Sequence, residues 1–154
     1  MLAKKPYQRP LQKKRKKNTK KRQPGEPDRQ GWVALKVHNF NCQGTEYHTA
    51  IMSLSVEELD KFNFEKGDTE GFVNYALSIN DVVFTAFFIQ YDEKVKISFR
   101  SLKDFRANLL SVKHFNGGGH INAAGGMYEG TLEEAIAKLK KVLPEFKEEL
   151  IANC

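Results

Sequence analysis

The stretch Phe115-Asn116-Gly117-Gly118-Gly119-His120-Ile121-Asn122-Ala123-Ala124-Gly125-Gly126 sets three glycines before a histidine and two more after an alanine pair. Glycine inside a regular element costs about 0.5–1 kcal/mol relative to alanine. Bare backbone must therefore serve a purpose here: a tight turn, a close approach of two backbones, or a ligand lying against the main chain. The chemistry on offer is anion binding, because successive glycines leave backbone N–H groups unshielded and a helix N-terminus would aim them at negative charge. The expectation is a helical turn opening at Gly119 or His120 and running through Ile121 to Ala124, with His120 at its mouth donating to a phosphate oxygen. Gly117 can also serve simply as the C-cap of the preceding helix. The small residues Ala123, Ala124, Gly125 and Gly126 suit a helix packed tightly on a sheet. A role for His120 as general acid or base lacks a nucleophile or carboxylate fixed by spacing.

The elements that must hold this loop are legible around it. Residues 95–100 alternate, with Val95, Ile97 and Phe99 on one face and Lys96, Ser98 and Arg100 on the other, as in a half-buried strand. Arg100 thus stands on the polar face. Its bland reading is a surface ion pair with Asp92, Glu93 or Asp104. The apolar run 82–90 (VVFTAFFIQ) predicts a strand buried on both faces, and 49–54 (TAIMSL) another. Residues 91–94 read as the turn between the strands at 82–90 and 95–100.

Two capping boxes, Ser55-Val56-Glu57-Glu58 and Thr131-Leu132-Glu133-Glu134, predict helix starts. The first helix would bury Leu59 and Phe62; the second would bury Leu132, Ala135, Ile136, Leu139 and Leu143. Asp68 or Thr69 can cap a helix carrying Phe72, Tyr75, Ala76 and Ile79. Residues 104–114 read as a helix using Phe105, Leu109, Leu110 and Val112. Pro144 ends the last long helix or starts a further turn through Leu150. The fold class is α/β: a small mixed sheet flanked by helices.

Charge divides the chain. Residues 1–30 carry twelve Lys or Arg against Glu26 and Asp28, a net +10, while the remaining 124 residues carry 13 basic and 17 acidic side chains, a net −4. The first 30 residues have too little apolar surface to offset ordering entropy and are expected to be a disordered basic tail. Such a tail either neutralises nucleic-acid phosphates or is merely solvated. Residues 31–45 form an uncertain linker in which Trp32, Val33, Leu35 and Val37 suit a short strand. No run reaches the 18 or so apolar residues of a membrane span, and no apolar stretch follows the basic N-terminus as in a secretory leader. Cys42 and Cys154 match no metal spacing and read as reduced thiols of a cytoplasmic protein.

The string GGGH-xx-AAGG, preceded by the strand KISFRS, resembles the C-terminal DHH-associated domain of the DHH phosphoesterases. These include RecJ-like exonucleases and the NrnA-like bifunctional oligoribonuclease and phosphoadenosine-phosphate phosphatases; the C-terminal module of alanyl-tRNA synthetases is related. The segment GDTEGFVNYALSI at 67–79 is similar to the NrnA-like branch. The resemblance covers about 46–143, and the domain is expected over 46–152.

The resemblance implies that Gly117, Gly118, Gly119 and His120 line a phosphate and nucleotide site, and that Arg100 contacts a phosphate or a base. It implies short RNA, single-stranded nucleic acid or nucleotide phosphates as partners. It also implies a separate DHH catalytic domain holding two divalent metals, usually manganese. The chain has His38, His48, His114 and His120 but no His-His pair and no D-x-D cluster. The expectation is a substrate-binding half, inactive alone, with no metal site of its own. The alternative is a stand-alone nucleic-acid-binding protein using the tail and the Gly-His loop.

Overall fold

The computed structural model describes residues 36–39, 47–61, 64 and 67–154, the first group as a strand backbone. The expectations for the basic tail, Trp32, Val33, Leu35, Cys42 and Phe62 lie outside these residues.

Among the described residues six strands form one mixed sheet: β1 (Lys36–Asn39), β2 (Thr49–Leu54), β3 (Phe84–Tyr91), β4 (Lys94–Ser101), β5 (Gly118–His120) and β6 (Ala123–Glu129), in the order β1-β2-β3-β4-β6-β5. Only β2 and β3 run parallel; every other neighbouring pair is antiparallel. The parallel pair occupies the middle, and β2 is buried along its whole length, as is β3 from Phe84 to Ile89. That burial explains the unbroken apolar runs of these two strands. Strand β3 begins two residues later than the apolar run, since Val82 and Val83 are buried but precede it.

Two apolar layers cover the sheet. On one face, Phe84, Phe88, Val95, Ile97 and Phe99 pack against α3 (Ala107–His114), α4 (Leu132–Val142), a 3₁₀ turn at Leu143–Phe146 and α5 (Lys147–Ala152). The rings of Phe84 and Phe99 stack with centroids 5.7 Å apart, and Phe115 meets Phe99 at 5.5 Å. On the other face, Met52, Phe87 and Ile89 pack against α1 (Val56–Lys61), α2 (Phe72–Tyr75) and a 3₁₀ turn at Ala76–Ser78. The buried Thr85 hydroxyl donates to the Val73 carbonyl at 2.9 Å, fixing α2 against β3.

Both capping boxes form. The Ser55 amide donates to Glu58 Oε2 at 2.9 Å, and the Glu58 amide to Ser55 Oγ at 3.3 Å. Thr131 and Glu134 repeat the exchange at 2.9 and 3.2 Å. Leu132, Ala135, Leu139 and Leu143 are buried as expected, with Ile136 packed partly against them.

Two expectations need correction. Helix α2 is capped by Gly71 in a left-handed conformation (φ 87°), with no side-chain cap, instead of by Asp68 or Thr69; a loop of turns at 67–71 intervenes. Helix α3 starts at Ala107 and not at Asp104. It packs through Ala107, Leu110 and Ser111, leaving Leu109 and Val112 44% and 60% exposed at the sheet's edge. Its C-terminal end is pinned by Lys113 Nζ to Glu145 Oε2 at 2.7 Å. His114 Nε2 lies 3.2 Å from the same oxygen without hydrogen-bond alignment.

Candidate functional site

The glycine–histidine stretch is a β-hairpin. Gly118↔Gly125, Gly119↔Ala124 and His120↔Ala123 pair antiparallel across β5 and β6, and Ile121-Asn122 makes the turn. The expected helix from His120 to Ala124 is therefore absent; the helix whose first turn meets the hairpin is α3, where the Asn108 amide donates to the Ile121 carbonyl at 3.4 Å. The reason lies in β4, which needs a hydrogen-bonding partner on this side and finds it in residues 123–129. Small residues are still required, but as strand positions beneath α3 and the chain that leaves it. A Cβ on Gly126 would come within 2.7 Å of Phe115 Cβ.

The five glycines divide by what their side chains would meet. A Cβ on Gly117 would collide with the Gly125 carbonyl oxygen and Ser111 Oγ. Those two atoms are themselves hydrogen-bonded at 2.6 Å, tying α3 to β6. Gly119 has φ +137°, and a Cβ there would stand 2.6 Å from the Ala123 carbonyl oxygen. With Gly126, these glycines are needed for packing and turning. Gly118 and Gly125 are not: their nearest neighbours would be Val112 Cγ2 at 3.9 Å and the Ile97 carbonyl oxygen at 3.5 Å, ordinary contacts.

Register places these two glycines on the face that carries the charged residues. The row Thr85–Arg100–Ala123–His120 crosses β3, β4, β6 and β5, so its side chains share one face. Arg100 and His120 therefore flank Ala123, roughly 10 Å apart at the backbone. The next row along is Phe87–Ser98–Gly125–Gly118, and the next Ile89–Lys96–Met127. Helices α1 and α2 cover this face over β2 and β3. Over β4, β6 and β5 it lies open: Lys96, Gly125, Met127 and His120 are exposed, and Ser98, Arg100, Ala123 and Gly118 half-buried.

Arg100 Nη1 donates to the Phe99 carbonyl at 2.7 Å. Among the described residues it makes no ion pair with Asp92, Glu93 or Asp104. The His120 imidazole has no partner among them either. The carboxylate that β4, β5 and β6 place on this face is Glu129, 3.8 Å from Lys94 Nζ at the far end. A cavity of about 380 Å³ opens beside that end, lined by Asn116, Met127, Tyr128, Glu129 and Lys138.

Several contributors escape sequence reasoning. Asn122 holds the hairpin turn in place: its amide nitrogen donates to Ser101 Oγ and the Lys103 carbonyl, each at 3.0 Å. The Ser101 amide in turn donates to the Asn122 carbonyl at 3.1 Å. An Asn two residues past a histidine gives no signal of this bond. Ser98 and Lys96 were visible in the alternation of KISFRS but carried no assigned role. The small size of Gly125 suggests helix packing, whereas the residue stands in β6.

Among the described residues no group of three or more His, Cys, Asp or Glu side chains is placed to hold a metal ion, so they do not fit the manganese pair of DHH enzymes. No helix among them is long and apolar enough to cross a membrane.

One solved structure agrees with this architecture. An exopolyphosphatase-related protein from Bacteroides fragilis superposes with a TM-score of 0.70 at 43% identity, over 79% of this chain and 35% of that one. A pGpG-specific phosphodiesterase from Vibrio cholerae gives 0.45 at 16% identity, over 71% and 35%. The chain thus spans about a third of the length of each. No curated protein matches. The DHHA1 domain model matches residues 46–149, and the chain belongs to the DHHA1 domain family.

Proposed function

We propose that the open face of β4, β6 and β5 binds a phosphate of a short RNA or phosphorylated nucleotide, as the substrate-holding part of a DHH-type phosphoesterase. One observation carries this reading. Gly118 and Gly125 are bare without a packing reason, and they lie beside a row that carries the half-buried Arg100 and the exposed His120. A guanidinium can grip a phosphate through two parallel hydrogen bonds. His120 can donate a further one, and the glycine floor lets the ligand approach the backbone closely. Gly117 and Gly119 act indirectly, by holding the hairpin against α3.

Family membership supports a phosphoester substrate, and the Bacteroides relative's description as exopolyphosphatase-related is consistent with phosphate chemistry. Metal-activated hydrolysis would be supplied by a separate DHH domain. The test is manganese-dependent hydrolysis of a short oligoribonucleotide by the chain alone and with a DHH domain added. Turnover is expected only in the second case; chelator-sensitive turnover by the pure chain would contradict it.

The charge division favours a second reading, a nucleic-acid-binding protein in its own right. Its +10 N-terminal segment would then supply affinity and the hairpin a phosphate grip.

A further inference from the structure

We propose that the edge of β6 beyond Gly125 is a peptide-docking slot, which takes an extended segment of a partner protein and sets one of its carboxylates against Lys138. The slot lies at the other end of β6 from Ala123 and faces sideways out of the sheet, so it stands apart from the phosphate reading of Arg100 and His120.

Strand β5 pairs with β6 only as far as Gly118↔Gly125. One further bond joins the Met127 amide to the Phe115 carbonyl at 2.8 Å, where the chain leaves α3. Backbone groups along a strand point alternately to its two sides, so the Met127 carbonyl and the Glu129 amide also face away from β4. Neither has a hydrogen-bond partner among the described residues. The cavity of about 380 Å³ occupies the place beside them where a neighbouring strand would run. Asn116, held left-handed at φ 47°, borders it with an exposed carboxamide. Sheet edges take up extended peptides through such backbone groups, and the pockets that receive alternate side chains supply the selectivity.

The selecting group here is Lys138. Helix α4 carries its Nζ over the rings of Phe115 and Tyr128, 5.3 and 5.4 Å from their centroids, on the helical face of the sheet. The side chain is half-buried and makes no ion pair among the described residues. Glu134, one turn earlier on α4, is committed to the Thr131 amide, and Glu129 reaches toward Lys94 on the opposite face. A lysine that only guards a sheet edge stands in water; this one is drawn over two rings and lines the slot. A segment running along β6 puts the residue opposite Tyr128 on the helical face, where a carboxylate would meet the Lys138 ammonium. Its two neighbours fall on the open face, one of them beside the apolar Met127. Charge also decides among occupants. Residues 1–30, at net +10, oppose Lys138, and two copies joined edge to edge here would bring their Lys138 groups together.

The experiment is a chemical-shift titration of the full chain, read at the Met127, Tyr128 and Glu129 amides so that peptide held by residues 1–30 is not counted. Probes are acetyl-Thr-Val-Glu-Val-Thr-amide, the same peptide with lysine for glutamate, the glutamate peptide N-methylated at both valines, and acetate. The glutamate peptide should move these amides, and the lysine and N-methylated peptides should bind at least about fivefold more weakly. Lys138→Gln should weaken the glutamate peptide about fivefold and bring it level with the lysine peptide. No movement at about 10 mM glutamate peptide would overturn the slot. Equal binding of the glutamate and lysine peptides to wild type would overturn the role of Lys138, and undiminished binding of the N-methylated peptide would overturn strand addition. Acetate binding as tightly, with the same dependence on Lys138, would leave an anion pocket in place of a docking slot. Movement of the same amides on dilution, or on removing residues 1–30, would give the slot to a second copy or to the chain's own N-terminal segment and overturn the partner.

Discussion

Gly118 and Gly125 face each other across β5 and β6, and a methyl group added to either would make only an ordinary contact, with Val112 Cγ2 or the Ile97 carbonyl oxygen. Their neighbours Gly117 and Gly126 are the reverse case, since a methyl group there would strike the backbone of the hairpin or Phe115. Space therefore divides the glycines of one string into two kinds, and substitution separates them.

Gly117→Ala and Gly126→Ala should each destabilise the fold by about 1–3 kcal/mol or more, because backbone atoms cannot yield as a flexible side chain would. Thermal and denaturant unfolding measure this. A Gly117→Ala protein as stable as wild type would mean that α3 does not sit against β6 as described.

His120→Ala should leave the unfolding midpoint almost unchanged, since the imidazole has no partner among the described residues. It should still weaken AMP binding. Asn122→Ala should do the opposite first: it removes the donor to Ser101 and Lys103 and should cost about 1–3 kcal/mol of stability. A His120→Ala protein that melts far earlier yet binds normally would assign the histidine to the scaffold.

Removing residues 1–30 takes away a net charge of +10 and leaves a body of net −4. Nucleic-acid binding should then lose most of its salt dependence, with little change in melting temperature. RNA binding undiminished at low salt would remove the electrostatic role of this segment.

The Lys113–Glu145 contact carries a pH dependence. The Lys113 hydrogen bond holds the Glu145 carboxyl below its usual range. A carboxylate depressed in the folded state adds stability above its unfolded value and loses it as pH falls through the folded one. Wild type should therefore exceed Glu145→Gln slightly at neutral pH, and the difference should shrink as pH falls below the ordinary carboxylate range. The effect should be small, because the carboxylate is 45% exposed. A difference that grows on acidification would contradict the assignment.

Local chemistry explains which parts of the fold were legible in the sequence. Both capping boxes are closed by bonds between residues three apart, so Ser55–Glu58 and Thr131–Glu134 were readable without knowing the fold. The alternation of residues 95–100 similarly gave the correct face to Arg100. The glycine hairpin was not readable as a hairpin, because Gly and Ala carry no alternation of apolar and polar side chains. What decides its conformation is β4, whose open edge lies some twenty residues earlier in the chain. Leu109 and Val112 misled for a related reason: α3 lies over the rim of the sheet, where half of a helix has nothing to cover. Arg100 and His120 do share one row of the sheet, while the helix expected to hold His120 is replaced by a strand pair.

Gly118→Ala tests the central claim most directly, by binding of AMP measured by calorimetry beside a thermal melt. Gly118 lies in extended strand with room for a Cβ, so alanine there should leave the melting temperature equal or slightly higher. If the bare backbone receives a phosphate ligand, the methyl group should weaken AMP binding at least about fivefold, or about 1 kcal/mol, with the fold intact. Unchanged affinity in a protein that melts like wild type would show that nothing approaches this glycine floor, and would contradict the account.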